Sequence, residues 1–239
     1  KGKLFFMHVP KCGGTSIDRA IRVCYRRRSV HLLNARASAQ ASELLDADLD
    51  DHREQLLLYF MGGTRIRYLS GHFPFSQRAF DRFGNEWDFI TVLRNPVSRW
   101  FSVYFFNKYK ERYDHFRIDE ELAQFVDSDE ATRLGRSYVN RFSDYRHGTL
   151  TSLDTAIAQA KSNLEKFTIV GLLEDLGGFV DRFERTYGVR VPIGHANRNP
   201  LRPTSQKEQI SAELRQKVEK LCAPDLEVYE HARAVLALR

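Results

Sequence analysis

Apolar residues gather along this chain in a few short runs, separated by longer stretches in which they recur every three or four positions. The runs fall at residues 4–9, 67–73, 88–94 and 167–172, typified by Leu4-Phe5-Phe6-Met7 and by Phe89-Ile90-Thr91-Val92-Leu93. Short, nearly continuous runs rich in aromatic and β-branched residues predict buried strands. Between them the period changes. Ile17, Ala20, Ile21 and Cys24 share one face of a helix predicted over 16–28. Residues 30–61 read as helical in two pieces, the second running from about Asp51 to a C-cap at Gly62-Gly63. Pro96 opens another helix, where its missing N–H is no loss, and the aromatics Trp100, Phe101, Tyr104, Phe105 and Phe106 within it are assigned to core. Residues 107–165 are mostly helical and polar, and 175–187 form a further helix. Ser205 and Glu208 make a capping box, and Pro224 opens a last helix with Leu226, Tyr229, Ala232 and Leu236 on its apolar face. Strands alternating with helices predict an α/β fold, a mainly parallel central sheet flanked by helices. A chain of 239 residues is expected to form one domain over 1–239.

The first strand leads straight into chemistry. It is followed by His8-Val9-Pro10-Lys11-Cys12-Gly13-Gly14-Thr15-Ser16, a tight turn opening a helix. Glycines let a ligand approach the main chain, and a helix N-terminus offers free N–H groups and positive dipole. Lys11 adds charge; Thr15 and Ser16 add hydroxyl donors. Phosphate or sulfate binding is one reading and a plain structural turn is the other. The nucleoside triphosphate loop G-x-x-x-x-G-K-S/T fails, because Lys11 precedes the glycines and the first glycine is missing. The cysteine phosphatase loop fails too, with six residues between Cys12 and Arg19 instead of five.

The stretch from His8 to Ser16 resembles the 5′-phosphosulfate loop of sulfotransferases, which often reads H-x-P-K-T/C-G-G-T-S. A second resemblance follows in the right order. Arg94-Asn95-Pro96-Val97-Ser98-Arg99, with Ser102 eight residues after Arg94, is similar to the R-x-P-x-x-R motif and serine that grip the cofactor's 3′-phosphate in that family. Arginine suits such forked phosphate contacts. The resemblance implies a P-loop-like sulfotransferase fold and 3′-phosphoadenosine 5′-phosphosulfate (PAPS) as sulfuryl donor. It assigns cofactor binding to Lys11, Cys12, Gly13, Gly14, Thr15, Ser16, Arg94 and Ser102. The basic loop that closes over the nucleotide in the family is matched here by Arg198, Arg202, Thr204 and Ser205, for which capping and surface roles are the alternative. Ser70-Gly71-His72-Phe73 resembles the H-G-H-V segment of heparan and dermatan uronosyl 2-O-sulfotransferases, whose second histidine is the general base. That implies a catalytic base at His72, with Lys11 stabilising the leaving phosphate. Ser70 stands where those enzymes carry their first histidine, so the auxiliary role of that residue has no counterpart. Tyr138 to Phe142 falls where the uronosyl enzymes place residues near the acceptor cleft, although a plain helix is the favoured reading there.

Composition narrows the partners. Lys and Arg number 37 against 31 Asp and Glu, a net charge of +6 that suits anionic ligands, an acidic saccharide included. A hydroxyl-bearing acceptor is expected, with nucleic acid not implied and the oligomeric state open. The aspartates at 46, 48, 50 and 51 lack the glycine and terminal glutamate of a calcium loop and read as a solvated turn; no metal is expected. Three cysteines cannot all pair, and no Asn-x-Ser/Thr acceptor occurs. Together these favour a reducing, cytoplasmic setting of bacterial type. No apolar run approaches the roughly 20 residues of a membrane span. Since the chain opens on Lys1, a Golgi-lumen enzyme with an anchor upstream is the alternative.

The expected reaction is therefore an O-sulfotransfer in which His72, with an ionisation near about 6.5, takes the acceptor's proton. Two other classes remain open: a nucleotide kinase, which would want an aspartate for magnesium where Arg94 stands, and a non-catalytic module that holds an anionic glycan or nucleotide.

Overall fold

The computed structural model describes residues 2–25, 29–110, 117–145, 151–193 and 210–236. Five strands, β1 (Lys3–Met7), β2 (Val30–Leu32), β3 (Tyr68–Gly71), β4 (Trp87–Leu93) and β5 (Ile169–Leu172), form one sheet in the order β2-β3-β1-β4-β5. Every pairing is parallel. Met7 stands opposite both Gly71 and Thr91, and Leu93 opposite Leu172, so four strands end along one edge. The α/β fold with a parallel sheet is as expected from the alternating pattern.

Alternation along β1 sends Phe5 and Met7 to one face and Leu4 and Phe6 to the other, and both faces are buried. Helices α1 (Gly14–Arg22) and α10 (Leu176–Tyr187) cover the second face through Ile17, Ala20, Ile21, Phe179 and Phe183. The first face meets α3 (Leu49–Gly62), α4 (Gln77–Phe83), α8 (Ser137–Phe142), α9 (Leu153–Glu165) and α12 (Ala223–His231). A third apolar cluster lies beyond the sheet. There α5 (Pro96–Lys108) packs Val97, Trp100, Phe101, Tyr104 and Phe105 against α6 (Leu122–Phe125), α7 (Asp129–Gly135) and α11 (Ala212–Leu221). Those aromatics are core, as their spacing suggested; Phe106 instead is exposed.

Side-chain caps start most helices. Asp48 accepts from the Asp50 and Asp51 N–H groups, and Asn95 from Ser98 with Pro96 in the first turn, the usual remedy for orphan donors. Several boundaries differ from the sequence reading. The stretch 30–61 holds the edge strand β2 before α2 (Ala35–Leu44) and α3. Val30 and His31 are only half-buried and Leu32 is exposed, so this strand lacks the apolar run that marks the others. Helix α1 starts two residues early, at Gly14, and stops at Arg22, leaving Cys24 half-buried outside it. Gly63 ends α3 with φ −68°, not in the left-handed form of a glycine C-cap. The capping box at Ser205 lies outside the described residues.

Candidate functional site

All the described candidate residues except Ser102 gather at the carboxyl edge of the sheet, where ligands of open α/β folds bind, and Ser102 follows on the helix that leaves it. The loop after β1 is pinned at its start, where His8 N–H donates to Gly71 O at 2.9 Å. Two left-handed residues then turn the chain: Lys11 at φ 65° and Gly13 at φ 75°. Glycine takes that conformation freely; lysine does so at some cost. The N–H groups of Gly13, Gly14 and Thr15 have no hydrogen-bond partner among the described residues, nor do the hydroxyls of Thr15 and Ser16. Successive free N–H groups at a helix N-terminus make an anion cradle.

The two glycines answer to their neighbours as well. A Cβ on Gly13 would lie 2.6 Å from Leu173 Cδ1, and one on Gly14 only 1.9 Å from the His8 ring. Cys12 turns inward: it is fully buried, its Sγ 3.5 Å from the Tyr138 hydroxyl, and burial pushes its thiol up. Its side chain is core, so it serves the loop through its backbone. The Lys11 ammonium sits 3.9 Å from the centre of the Phe106 ring on α5. Burial, and then the Arg94 charge, lower its pKa to about 8.

Arg94 follows β4 directly. It is half-buried, and its Nη1 donates to Lys11 O at 3.3 Å, tying the end of β4 to the loop. The partner arginine of the motif behaves otherwise. Arg99 is buried and donates to Pro10 O, Leu134 O and Ser137 Oγ at 3.2, 3.4 and 2.7 Å, so it is spent on holding the loop against α8. Ser102 is half-buried one turn before Phe106, on the same flank of α5 as Lys11. Nearby, Glu174 accepts from Asn95 N–H and from the Tyr229 hydroxyl at 2.8 and 3.0 Å.

His72 lies just past β3. Its Nδ1 is 2.7 Å from His8 O, and since a carbonyl only accepts, the proton of the neutral ring sits on Nδ1. The lone pair of Nε2 has no partner among the described residues. The expected ionisation near 6.5 is corrected. Burial first, then His8 and Arg141, hold His72 down to about 3, against the pull of its bond to His8 O. His8, its ring 4.5 Å from that of His72, is lowered to about 4 by burial and Arg141. A protein wall packed this densely disfavours the charged ring even though its edge still meets solvent.

Arg141 of α8 completes this cluster and sequence reading set it aside. Its Nε is buried without a partner, as is Asn140 Oδ1, and burial lowers its pKa to about 10. No periodic signal marks it, because α8 is a short helix in a polar stretch. His8 had a signal, being the first residue of the loop pattern. Arg53 from α3 approaches from the other side, donating to Ser38 Oγ and Ala35 O at 3.2 and 3.4 Å.

Arg198, Arg202, Thr204 and Ser205 lie outside the described residues. Among those described, no three His, Cys, Asp or Glu side chains group as metal ligands, and no helix is long and apolar enough to cross a membrane. A separate depression of about 180 Å³ lies at the opposite end of β5, by Thr168 and Arg182.

No protein family matches this chain, and no curated protein does. Among solved structures, it is similar to a crystal structure of a sulfotransferase from Alicyclobacillus acidocaldarius. Identity is 17%, coverage is 100% of this chain and 99% of that one, and the TM-score is 0.45. A likeness at that level bears on neither substrate nor site.

Proposed function

We propose that this chain is an O-sulfotransferase that uses PAPS as donor and a hydroxyl-bearing acceptor, a carbohydrate of the kind the uronosyl enzymes take. The observation that carries the reading is a juxtaposition at one sheet edge. Three N–H groups at the start of α1, unpartnered among the described residues and with Lys11 and Arg94 beside them, lie next to a histidine whose Nε2 has no partner there either. The donor set fits an anion of phosphosulfate type: N–H groups, hydroxyls, an ammonium and a guanidinium, with no carboxylate of a metal site among them.

Each residue has a task. Gly13, Gly14 and Thr15 N–H, with Lys11, would hold the 5′-phosphosulfate, and Arg94 with Ser102 the 3′-phosphate. Bound there, PAPS supplies the sulfuryl group, whose sulfur leaves the 5′-phosphate oxygen for the acceptor oxygen. His72 Nε2 takes the acceptor's proton, and its Nδ1–H stays on His8 O throughout, fixing the ring. Lys11 and the cradle meet the charge left on the 5′-phosphate. His72 is neutral across the physiological range and always ready to accept. Its imidazolium gains support once anionic ligands offset the Arg141 and His8 environment. The same positive surroundings favour an acidic saccharide.

Thermal shift and sulfate transfer test this together. PAPS and adenosine 3′,5′-bisphosphate are expected to raise the melting temperature without magnesium, and labelled sulfate should pass to a hexuronate-containing oligosaccharide ahead of a neutral one. A magnesium-dependent shift by ATP larger than that by PAPS would replace the reading with a nucleotide kinase. PAPS binding with no transfer to any hydroxyl acceptor would leave a binding module.

A further inference from the structure

The start of α8 is bound to both halves of the candidate anion site by residues far apart in sequence. Tyr138 is fully buried, and its hydroxyl makes two bonds to one residue: it donates to Arg94 O at 2.5 Å and accepts from Arg94 N–H at 2.9 Å. Arg94 is the first residue beyond β4, where the sheet ladder no longer holds the backbone; Leu93, before it, is still paired. A side chain from another helix thus takes over both of that residue's main-chain groups just where the strand releases them.

Tyr138 is itself held. Its N–H donates to both oxygens of Asp225 at 2.8 Å, and Val139 N–H to one of them at 3.0 Å. Asp225 belongs to α12 and is buried, so a carboxylate from that helix caps the first turn of α8 and fixes its depth. Arg99 joins the same turn to the loop after β1, through Ser137 Oγ and Pro10 O. From Arg94 the path continues through its guanidinium to Lys11 O.

We infer that Tyr138 is a positioning residue of the anion site: through its hydroxyl it sets the backbone of Arg94, and Asp225 holds it in place to do so. The phenol is needed for its oxygen and not only for its bulk. A tyrosine placed for packing alone would need one partner to satisfy its hydroxyl; this one spans the N–H and the carbonyl of the residue whose side chain crosses to the loop. The ligand named below rests on the sulfotransferase reading. The bonds do not.

The test uses the full chain and Tyr138→Phe, which keeps the ring and removes the oxygen. Adenosine 3′,5′-bisphosphate and adenosine 5′-phosphate are titrated separately, so that the ratio of their affinities reports reading of the 3′-phosphate. The variant is expected to lose roughly tenfold in affinity for the bisphosphate and under about twofold for the monophosphate, the scale of one misplaced charge-assisted contact. Amide hydrogen exchange at Arg94 should quicken by at least about tenfold while Ile90 and Val92 keep wild-type rates. A variant with a lower melting temperature but an unchanged ratio and unchanged Arg94 exchange overturns the inference, since Tyr138 would then only pack. A wild type that does not prefer the bisphosphate sinks the sulfotransferase reading and takes the positioning role with it. Should Tyr138→Phe fail to fold, Asp225→Ala, which removes the acceptor, enters the same chain from its far end. It is expected to lower the ratio about threefold, with an unchanged ratio overturning the inference equally.

Discussion

On the β1–β4 flank of the sheet's carboxyl edge, each guanidinium nitrogen of the buried Arg99 donates a hydrogen bond; on the β1–β3 flank, two neutral histidines crowd beside Arg141. Arg99 donates three bonds to the protein, and Arg94 is fastened to the loop by Lys11 O. Across β1, Arg141 has a buried Nε with no partner, and His8 and His72 are held neutral by burial and by that same guanidinium. Burial makes a further positive charge beside Arg141 costly, so the histidines stay unprotonated. The first flank ties its arginines to the loop after β1; the second keeps its histidines neutral.

The largest effect that sharpens this contrast is expected at His72. His72→Ala should lower turnover by roughly 10²–10⁴-fold while leaving PAPS affinity nearly intact, because the proposed donor contacts, Lys11 and Arg94, lie on the other flank. Transfer assays and titration on the same preparation decide it; a variant that keeps the wild-type rate ends the base assignment.

Lys11→Ala and Arg94→Ala should act on binding. Each is expected to weaken adenosine 3′,5′-bisphosphate by roughly 1.5–3 kcal/mol, and Arg94→Ala should spare an analogue that lacks the 3′-phosphate. Equal weakening of both nucleotides would make Arg94 a scaffold residue. Lys11 also sets a pH limb. With its pKa lowered to about 8, the protonated form is lost as pH rises through that value. The wild-type kcat/KM for PAPS should therefore fall above about pH 8, and the Lys11→Ala profile should lack that fall. No histidine limb near 6.5 is expected for the free protein, given His72 at about 3.

Gly14 joins the flanks sterically. Its added Cβ would meet the His8 ring, so Gly14→Ala should destabilise by roughly 1–3 kcal/mol, as overpacking does. In a His8→Ala background the same change should cost much less, a coupling that denaturant melts of the four proteins would expose. An equal cost in both backgrounds would show that the ring is not the obstacle.

A last effect is an acid slope. His8 and His72 are lowered in the folded chain from 6.5 to about 4 and about 3, so between those values and 6.5 the unfolded chain binds more protons. Their contribution is fully present above about pH 6.5 and is lost as pH falls toward 3. Melting temperature should decline over that window in the wild type and decline less in His72→Ala; parallel slopes would contradict the neutral cluster.

The core strands were legible because burial on both faces writes a continuous apolar run, as at Phe89 to Leu93. The edge strand Val30–Leu32 was not, since one half-exposed side after another leaves no such run. The loop after β1 and the start of α5 were legible for a different reason. A turn that needs Gly13 in the left-handed region and a helix that starts with Pro96 are local requirements, met by residues a few positions apart.

What the sequence determined alone was the α/β class, the positions of four of the five strands and the residues of the loop after β1. Only the tertiary structure decided how those residues are employed. It spends Arg99 inside the protein and leaves Arg94 at the edge, and it sinks Cys12 under Tyr138. It also puts the proton of His72 on Nδ1 by bringing up a carbonyl from residue 8, and it surrounds that ring with Arg141. The reason is physical. Helix and strand periods record contact with a single buried face over a few neighbouring residues, whereas protonation, tautomer and hydrogen-bond partners depend on groups that meet only after the chain has folded.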